Sequence, residues 1–289
     1  MELIIQETKG GCCSNSSQRD ENGLESKTTN RLSESSEGIK QQVRERYADS
    51  ALAKSSCGCS SENPFNLDSY ENLEGYLQDA DLGLGCGIPT EGADIREGHH
   101  VLDLGSGAGI DAFVARRMTG PSGSVTGVDF TPEMVNLAQL NASKLSYDNV
   151  SFVEGDIENL PLEYASFDRV ISNCVLNLVP DKSRAFAEMN RVMRSGGKFT
   201  VSDIVLEGEL PESILKTAEA YAGCVSGAIP HLEYLEKLTQ AGFKNVRTIS
   251  GRELSFSDED LRQLASSEEI AAFRASDARV ISITVTGEK

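Results

Sequence analysis

The sequence predicts an α/β fold, a mostly parallel sheet with helices on both faces, and three observations carry that prediction. Short apolar runs recur from about residue 100 onward, and most are followed by a segment of helical periodicity. The runs near Asp103, Asp129, Asp156 and Asn173 each finish on a polar side chain, as strands do where a sheet meets its ligand edge. The first run turns directly into a helix through glycines at alternate positions, Gly105, Gly107 and Gly109. Strands and helices alternating at this spacing imply right-handed crossovers.

Taken in order, residues 1–40 are polar and carry the vicinal pair Cys12-Cys13, which reads as a flexible arm. A helix is expected over 39–52, with Val43 and Tyr47 on one face. A loop with Cys57 and Cys59 follows, and a glycine-rich loop over 82–89 has Cys86 at its centre. Strands are expected at 101–104, 124–128, 150–153, 167–173 and 198–203. Helices are expected at 110–118, at 132–145 with Thr131 as N-cap and Pro132 at the first position, and from Asp181 to a stop at Gly196-Gly197. Two further helices, 211–223 and 231–241, precede strands at 246–249 and 280–286, with a helix over 258–274 between these. The organisation is an arm, 1–65, and one domain of seven strands, 66–289.

Composition limits the function. The 289 residues are 39% hydrophobic and carry a formal charge of −18, with a mean hydropathy of −0.29. That charge opposes nucleic acid and anionic membrane surfaces as partners but admits a neutral or cationic substrate. No apolar run is of membrane-spanning length, and residues 1–10 lack the pattern of a secretory leader. Seven cysteines in such a chain suggest a reducing, cytoplasmic setting, with the thiols acting as ligands or redox groups.

The stretch 101–109, with Asp103 two residues before Gly105, departs from the dinucleotide fingerprint because Ile110 stands where the last glycine is required. A donor without a pyrophosphate suits it, and S-adenosylmethionine is the candidate. Asp103 then lies near its amino group, with Gly105, Ser106, Gly107 and Gly109 against its amino-acid portion. Asp129 can accept from both ribose hydroxyls and repels a 2′-phosphate; Asp156 can accept from an adenine amino group beside the Ile157 amide. The structural alternative is that strand-end acids cap helices, which suits one acid better than a series of three. In these residues the chain resembles the class I S-adenosylmethionine-dependent methyltransferases over 89–289. That resemblance implies a Rossmann-like sheet of seven strands whose last strand is antiparallel, and it adds Phe130, Met134 and Asn173 to the candidate cofactor contacts.

The cysteines address the methyl acceptor. Cys86 precedes the first strand, Cys174 ends the fourth, and Cys224 lies beyond the fifth among glycines. Each alone could be a small buried hydrophobe, but three around one mouth form a soft ligand set. The stretches 43–47, 84–87, 101–109, 129–134, 172–182 and 222–228 together resemble the arsenite methyltransferases. The resemblance implies that Cys174 and Cys224 bind trivalent arsenic as substrate, that Cys86 completes or relays the site, and that Cys57 or Cys59 supplies a further thiol. It implies no resident metal, and thioredoxin or glutathione as reductant. A methyltransferase for a small organic acceptor such as a quinone precursor, and a metalloid-binding protein without turnover, are the alternatives. The histidines carry no role, and His99-His100 reads as an exposed turn.

Overall fold

The computed structural model describes residues 36–56, 69–221, 225, 227–263 and 265–289. A strand β1, His100–Leu104, lies at the centre of a seven-stranded sheet. Around it are β2 (Ser124–Asp129), β3 (Val150–Glu154), β4 (Phe167–Asn173), β5 (Met193–Glu207), β6 (Lys244–Glu253) and β7 (Arg279–Glu288). The spatial order is β3-β2-β1-β4-β5-β7-β6. Pairs among β1 to β5 are parallel, and β7 runs antiparallel to both β5 and β6. The order reverses beside β1, with β2 on one flank and β4 on the other, so the crevice of the fold opens above the ends of β1 and β4.

The helices are α1 (Ser36–Ser56), α2 (Pro89–Gly92), α3 (Ile110–Thr119), α4 (Pro132–Leu145), α5 (Lys182–Val192), α6 (Glu212–Tyr221), α7 (His231–Gln240), α8 (Asp258–Leu261) and α9 (Ser267–Ala275). On one face Phe186, Met189, Tyr234 and Phe243 pack against Phe199 and Val201 of β5; on the other, Ala112, Phe113 and Ala138 cover Val101 and Ile171. Aromatic pairs fix both layers, Phe199 on Phe243 at 4.7 Å between centroids and Phe113 on Phe152 at 5.8 Å. Among the described residues no helix is long and apolar enough to cross a membrane.

Four local expectations are corrected. The helix from Asp181 ends at Val192, and Gly196-Gly197 lie inside β5, where Lys289, just past β7, pairs with them: the Gly196 amide donates to the Lys289 carbonyl and the Lys289 amide to the Gly197 carbonyl, both at 3.0 Å. Asp181 does cap α5, its side chain accepting from the Arg184 amide at 3.0 Å. The segment 258–274 is two helices, the second closed by a capping box between Ser266 and Glu269. Thr131 has cap backbone geometry, but its hydroxyl is buried without a partner and Asp129 accepts its amide instead. His100 belongs to β1, half-buried, with Nδ1 2.7 Å from Ser124 Oγ, and His99 Nδ1 accepts from the Arg96 amide.

Candidate active site

A cleft of about 1110 Å³, open solvent included, lies over the carboxyl ends of β1, β2 and β4. The loop after β1 forms its floor. Gly105 and Gly107 adopt φ of +69° and +51°, the left-handed region that glycine enters without strain, and Gly109 opens α3 at +98°. Asp103, Gly105, Ser106, Gly107, Asp129, Phe130, Met134, Asp156, Ile157, Asn173 and Cys174 all line the cleft. Gly109 does not; its Cα faces the Phe113 and Phe152 rings at the helix–sheet interface. Cys86 is buried beside the cleft rather than in its lining.

The floor is acidic. Asp103, Asp111 and Asp129 are buried together, and burial is the largest cause holding all three carboxyls above the usual range. Asp103 is pushed furthest, with Asp111 and Asp129 as charged neighbours adding to the effect. Asp111 is raised to about 6, because its hydrogen bonds from Asn173 and Tyr70 only partly offset burial. Asp129 is oriented by two backbone amides, Gly107 at 3.0 Å on Oδ2 and Thr131 at 2.9 Å on Oδ1. Each oxygen keeps a second lone pair for a hydroxyl donor. One oxygen of Asp103 and the Ser106 hydroxyl are buried without a partner. A cationic ligand with hydrogen-bond donors suits such a floor, since it stabilises the ionised carboxylates that burial disfavours.

Helix α1 forms the wall over the far end. Lys40, Val43 and Tyr47 line the cleft, and the Arg44 guanidinium lies 5.2 Å from the Phe130 ring centroid. Lys40 Nζ bridges Asp156 Oδ2 at 2.6 Å and Glu158 Oε2 at 2.5 Å. Burial pulls the Lys40 ammonium down, but its hydrogen bonds to the two carboxylates outweigh that and its pKa is raised. Asp156 Oδ1 meanwhile accepts from the Glu158 amide at 2.8 Å.

At the inner end lie the thiols. Cys86 and Cys174 are 3% and 2% exposed and share one apolar cluster with Ile204, Ile214, Val225 and Phe256. Asn173 joins them: it precedes Cys174 in the chain, and its Oδ1 accepts from the Cys86 amide at 3.0 Å. Cys174 itself has φ +60°, a left-handed conformation uncommon in non-glycine residues, which Asp94, Ser146, Ala165 and Asn245 also adopt here. Cys224, Cys57, Cys59, Cys12 and Cys13 lie outside the described residues. Among the described residues no group of three His, Cys, Asp or Glu side chains is arranged to hold a metal ion.

Tyr70, Asp111 and Lys40 went unnoticed in the sequence. Asp111 had one usable signal, an acid in the first turn of the helix that follows the glycine loop. Tyr70 and Lys40 reach the cleft only through tertiary structure.

A methyltransferase-domain family model matches residues 95–254, a stretch that contains the cleft floor, both strand-end acids of β2 and β3, and Cys174. The chain belongs to that methyltransferase family. Its sheet is the seven-stranded class I methyltransferase sheet, with β7 as the antiparallel strand. Within the family it is similar to an arsenite methyltransferase of Halobacterium salinarum, 40% identical over 230 residues, covering 73% of this chain and 58% of that protein. It is also similar to an arsenite methyltransferase of Aquipseudomonas alcaligenes, 36% identical over 186 residues, covering 62% of this chain and 53% of that one. Among solved structures it resembles an arsenic(III) S-adenosylmethionine methyltransferase from Chlamydomonas reinhardtii. There the TM-score is 0.60 and the identity 38%, with 71% of this chain and 67% of that chain covered. The chain spans a little over half the length of the two arsenite methyltransferase sequences it matches.

Proposed function

We propose that the protein is an arsenite methyltransferase, transferring a methyl group from S-adenosylmethionine to trivalent arsenic held by cysteine thiols. One observation carries the reading: Cys174 lines the cleft and shares a buried apolar cluster with Cys86. The similarity to arsenite methyltransferases over 73% of the chain supports it.

The residues present fit the donor. When bound, S-adenosylmethionine supplies an electrophilic methyl group on a sulfonium centre. Asp103, with an unpartnered buried oxygen, and the Asp111 carboxyl are placed to hold its cationic end. Gly107 leaves open space where a Cβ would stand, so a ligand can lie against its backbone. Asp129 is held ready for two hydroxyl donors, and Asp156 with the Ile157 amide for the base.

On the acceptor side, thiols of Cys86, Cys174 and Cys224 condense with the hydroxyls of neutral arsenous acid. Each S–H proton leaves with a hydroxyl as water, and an As–S bond forms. The lone pair left on arsenic would attack the sulfonium methyl carbon; the methyl C–S bond breaks, its electron pair stays on sulfur, S-adenosylhomocysteine leaves, and arsenic is oxidised by two electrons. Two thiols returning those electrons become a disulfide, which thioredoxin or glutathione reduces. The protein contributes position and exclusion of water more than proton transfer. Cys57 or Cys59 joins the thiol set from the arm, 1–65, whose helix α1 already walls the cleft of the domain at 66–289. The reducing thiol pool this cycle needs places the protein in the cytoplasm.

The test is an assay of arsenite, S-adenosylmethionine and a thiol reductant, with arsenic products resolved by chromatography. The full chain is expected to give methylated arsenic. Cys174→Ser is expected to bind the donor as the parent does and to give none. Full activity in that variant, or no methylated product from the parent, overturns the reading.

A further inference from the structure

Between the acid-lined cleft, which Cys174 lines, and the buried Cys86 stands the Asn173 side chain. Asn173 Nδ2 lies 2.8 Å from Tyr70 Oη, 2.8 Å from the Gly87 carbonyl and 3.1 Å from Asp111 Oδ2, while its Oδ1 accepts from the Cys86 amide. Tyr70, a buried residue, closes the same circuit, its Oη 2.8 Å from Asp111 Oδ1 and 3.0 Å from the Gly87 carbonyl. Tyr70, Asp111 and Asn173 line the cleft, whereas Cys86 does not. The loop bearing Cys86 is pressed on this partition: a Cβ on Gly85 would stand 2.7 Å from Asn173 Nδ2, and one on Gly87 would stand 2.6 Å from Ser202 Oγ. Asn173 therefore holds the Cys86 amide, while Ser282 Oγ of β7 donates to the Cys86 carbonyl.

We propose that Asn173 is a positioning residue that couples the two halves of the site, so that a cationic donor in the cleft and arsenic on the thiols each tighten the other's binding. This rests on the function proposed above. A cation beside Asp103 and Asp111 fixes the Asp111 carboxylate in place, and the charge-assisted bonds it accepts from Asn173 and Tyr70 fix those side chains with it. Those bonds orient the Asn173 amide, and the amide holds the Cys86 main chain on both sides, through the Cys86 N–H and the Gly87 carbonyl. Arsenic bridging Cys86 and Cys174 works in reverse, fixing Cys86 and with it Asn173 and Asp111. Linkage makes the two effects equal in size.

The experiment is a calorimetric titration of arsenite into the full chain, with and without saturating sinefungin, an amine analogue of the donor that has no methyl group to transfer. A phosphine keeps the thiols reduced without competing for arsenic. In the parent, sinefungin is expected to tighten arsenite about fivefold or more, the lower end of ordinary coupling between sites. In Asn173→Ala that ratio is expected to fall to near one, while arsenite and sinefungin each still bind. Tyr70→Phe, which keeps the ring and removes only the bridging hydroxyl, is expected to lower the ratio part of the way. A merely structural role would weaken both ligands and leave the ratio alone. A ratio of one in the parent, or the parent's ratio kept in both variants, overturns the coupling while leaving the proposed function standing. A parent that binds sinefungin and no arsenite overturns the proposed function, and the coupling with it.

Discussion

Two glycines of the β1–α3 loop separate fold from cofactor binding. A Cβ at Gly105 would stand 2.5 Å from Val175 Cγ1 and 2.8 Å from Val175 Cβ, on a backbone with φ +69°. Forcing alanine there adds about 1–2 kcal/mol of left-handed strain and about 1–3 kcal/mol of overpacking, roughly 2–5 kcal/mol together. At roughly 2–4 °C per kcal/mol for a domain of this size, Gly105→Ala is expected to melt roughly 4–20 °C lower. Gly107, at φ +51°, has nothing within 4 Å of its would-be Cβ, so alanine there brings only the backbone strain. About 0.4–1 kcal/mol of that is recovered from the stiffer unfolded chain, leaving a shift within roughly 6 °C. The open space beside Gly107 faces the cleft, so its methyl group is expected to reduce S-adenosylmethionine affinity at least about tenfold, the effect of about 1.4 kcal/mol. Differential scanning fluorimetry and calorimetric titration read the two quantities. Parent-like donor affinity in Gly107→Ala would refute the placement of the donor on this loop, and a parent-like melting point in Gly105→Ala would refute the packing argument.

Two further outcomes are expected. Lys40→Ala removes the bridge to Asp156 and Glu158, whose side chains are 41% and 9% exposed, and so loosens α1 over the cleft. Donor affinity should fall roughly fivefold, about 1 kcal/mol for a partly exposed pair, with a weaker response to salt; tighter binding would show that Lys40 competes with the donor for Asp156. Asp203, fully buried and accepting from Tyr234 Oη at 3.0 Å, has a carboxyl raised by burial to about 7. Between the unfolded value near 3.8 and that folded value the native state holds the extra proton, so this group's contribution to stability falls as pH rises through the window. Urea unfolding of Asp203→Asn from pH 4 to 8 should show a flatter profile than the parent, by up to about 1.4 kcal/mol per pH unit. An identical slope would show that Asp203 does not carry that proton.

The parallel strands were readable because each contains a short apolar run, and Asp103, Asp129, Asp156 and Asn173 lie at or just past the ends that gather over the cleft. What failed was what depends on partners distant in sequence. Gly196-Gly197 resemble a helix stop, yet pairing with Lys289, just past β7, keeps them in a strand. Lys40 meets Asp156 across 116 positions, and Tyr70 meets Asn173 across 103, so no local pattern announces either. Asn173, expected as a cofactor contact from its place at a strand end, lines the cleft, and nothing in that place announces its grip on the Cys86 loop. The left-handed backbone at Cys174 has no sequence signature at all, since the residue type there gives no hint of φ.

The two halves of the site divide the charge between them, and this division bears on which arsenic species the proposed reaction accepts. The donor half presents Asp103, Asp111 and Asp129 and suits a cation. The thiol half is apolar, with Cys86 and Cys174 packed among Ile204, Ile214 and Phe256 and nearly closed to water. Condensing a thiol with a neutral arsenic hydroxide moves no net charge into that cluster, because the proton and hydroxyl leave as water. A pentavalent oxyanion would have to shed its hydration there, next to buried carboxylates of the same sign, at a penalty of several kcal/mol. It would also bring no lone pair for methyl transfer. For the proposed reaction, electrostatics and nucleophilicity thus favour the same trivalent, uncharged acceptor, and the formal charge of −18 sets no electrostatic barrier to a neutral molecule.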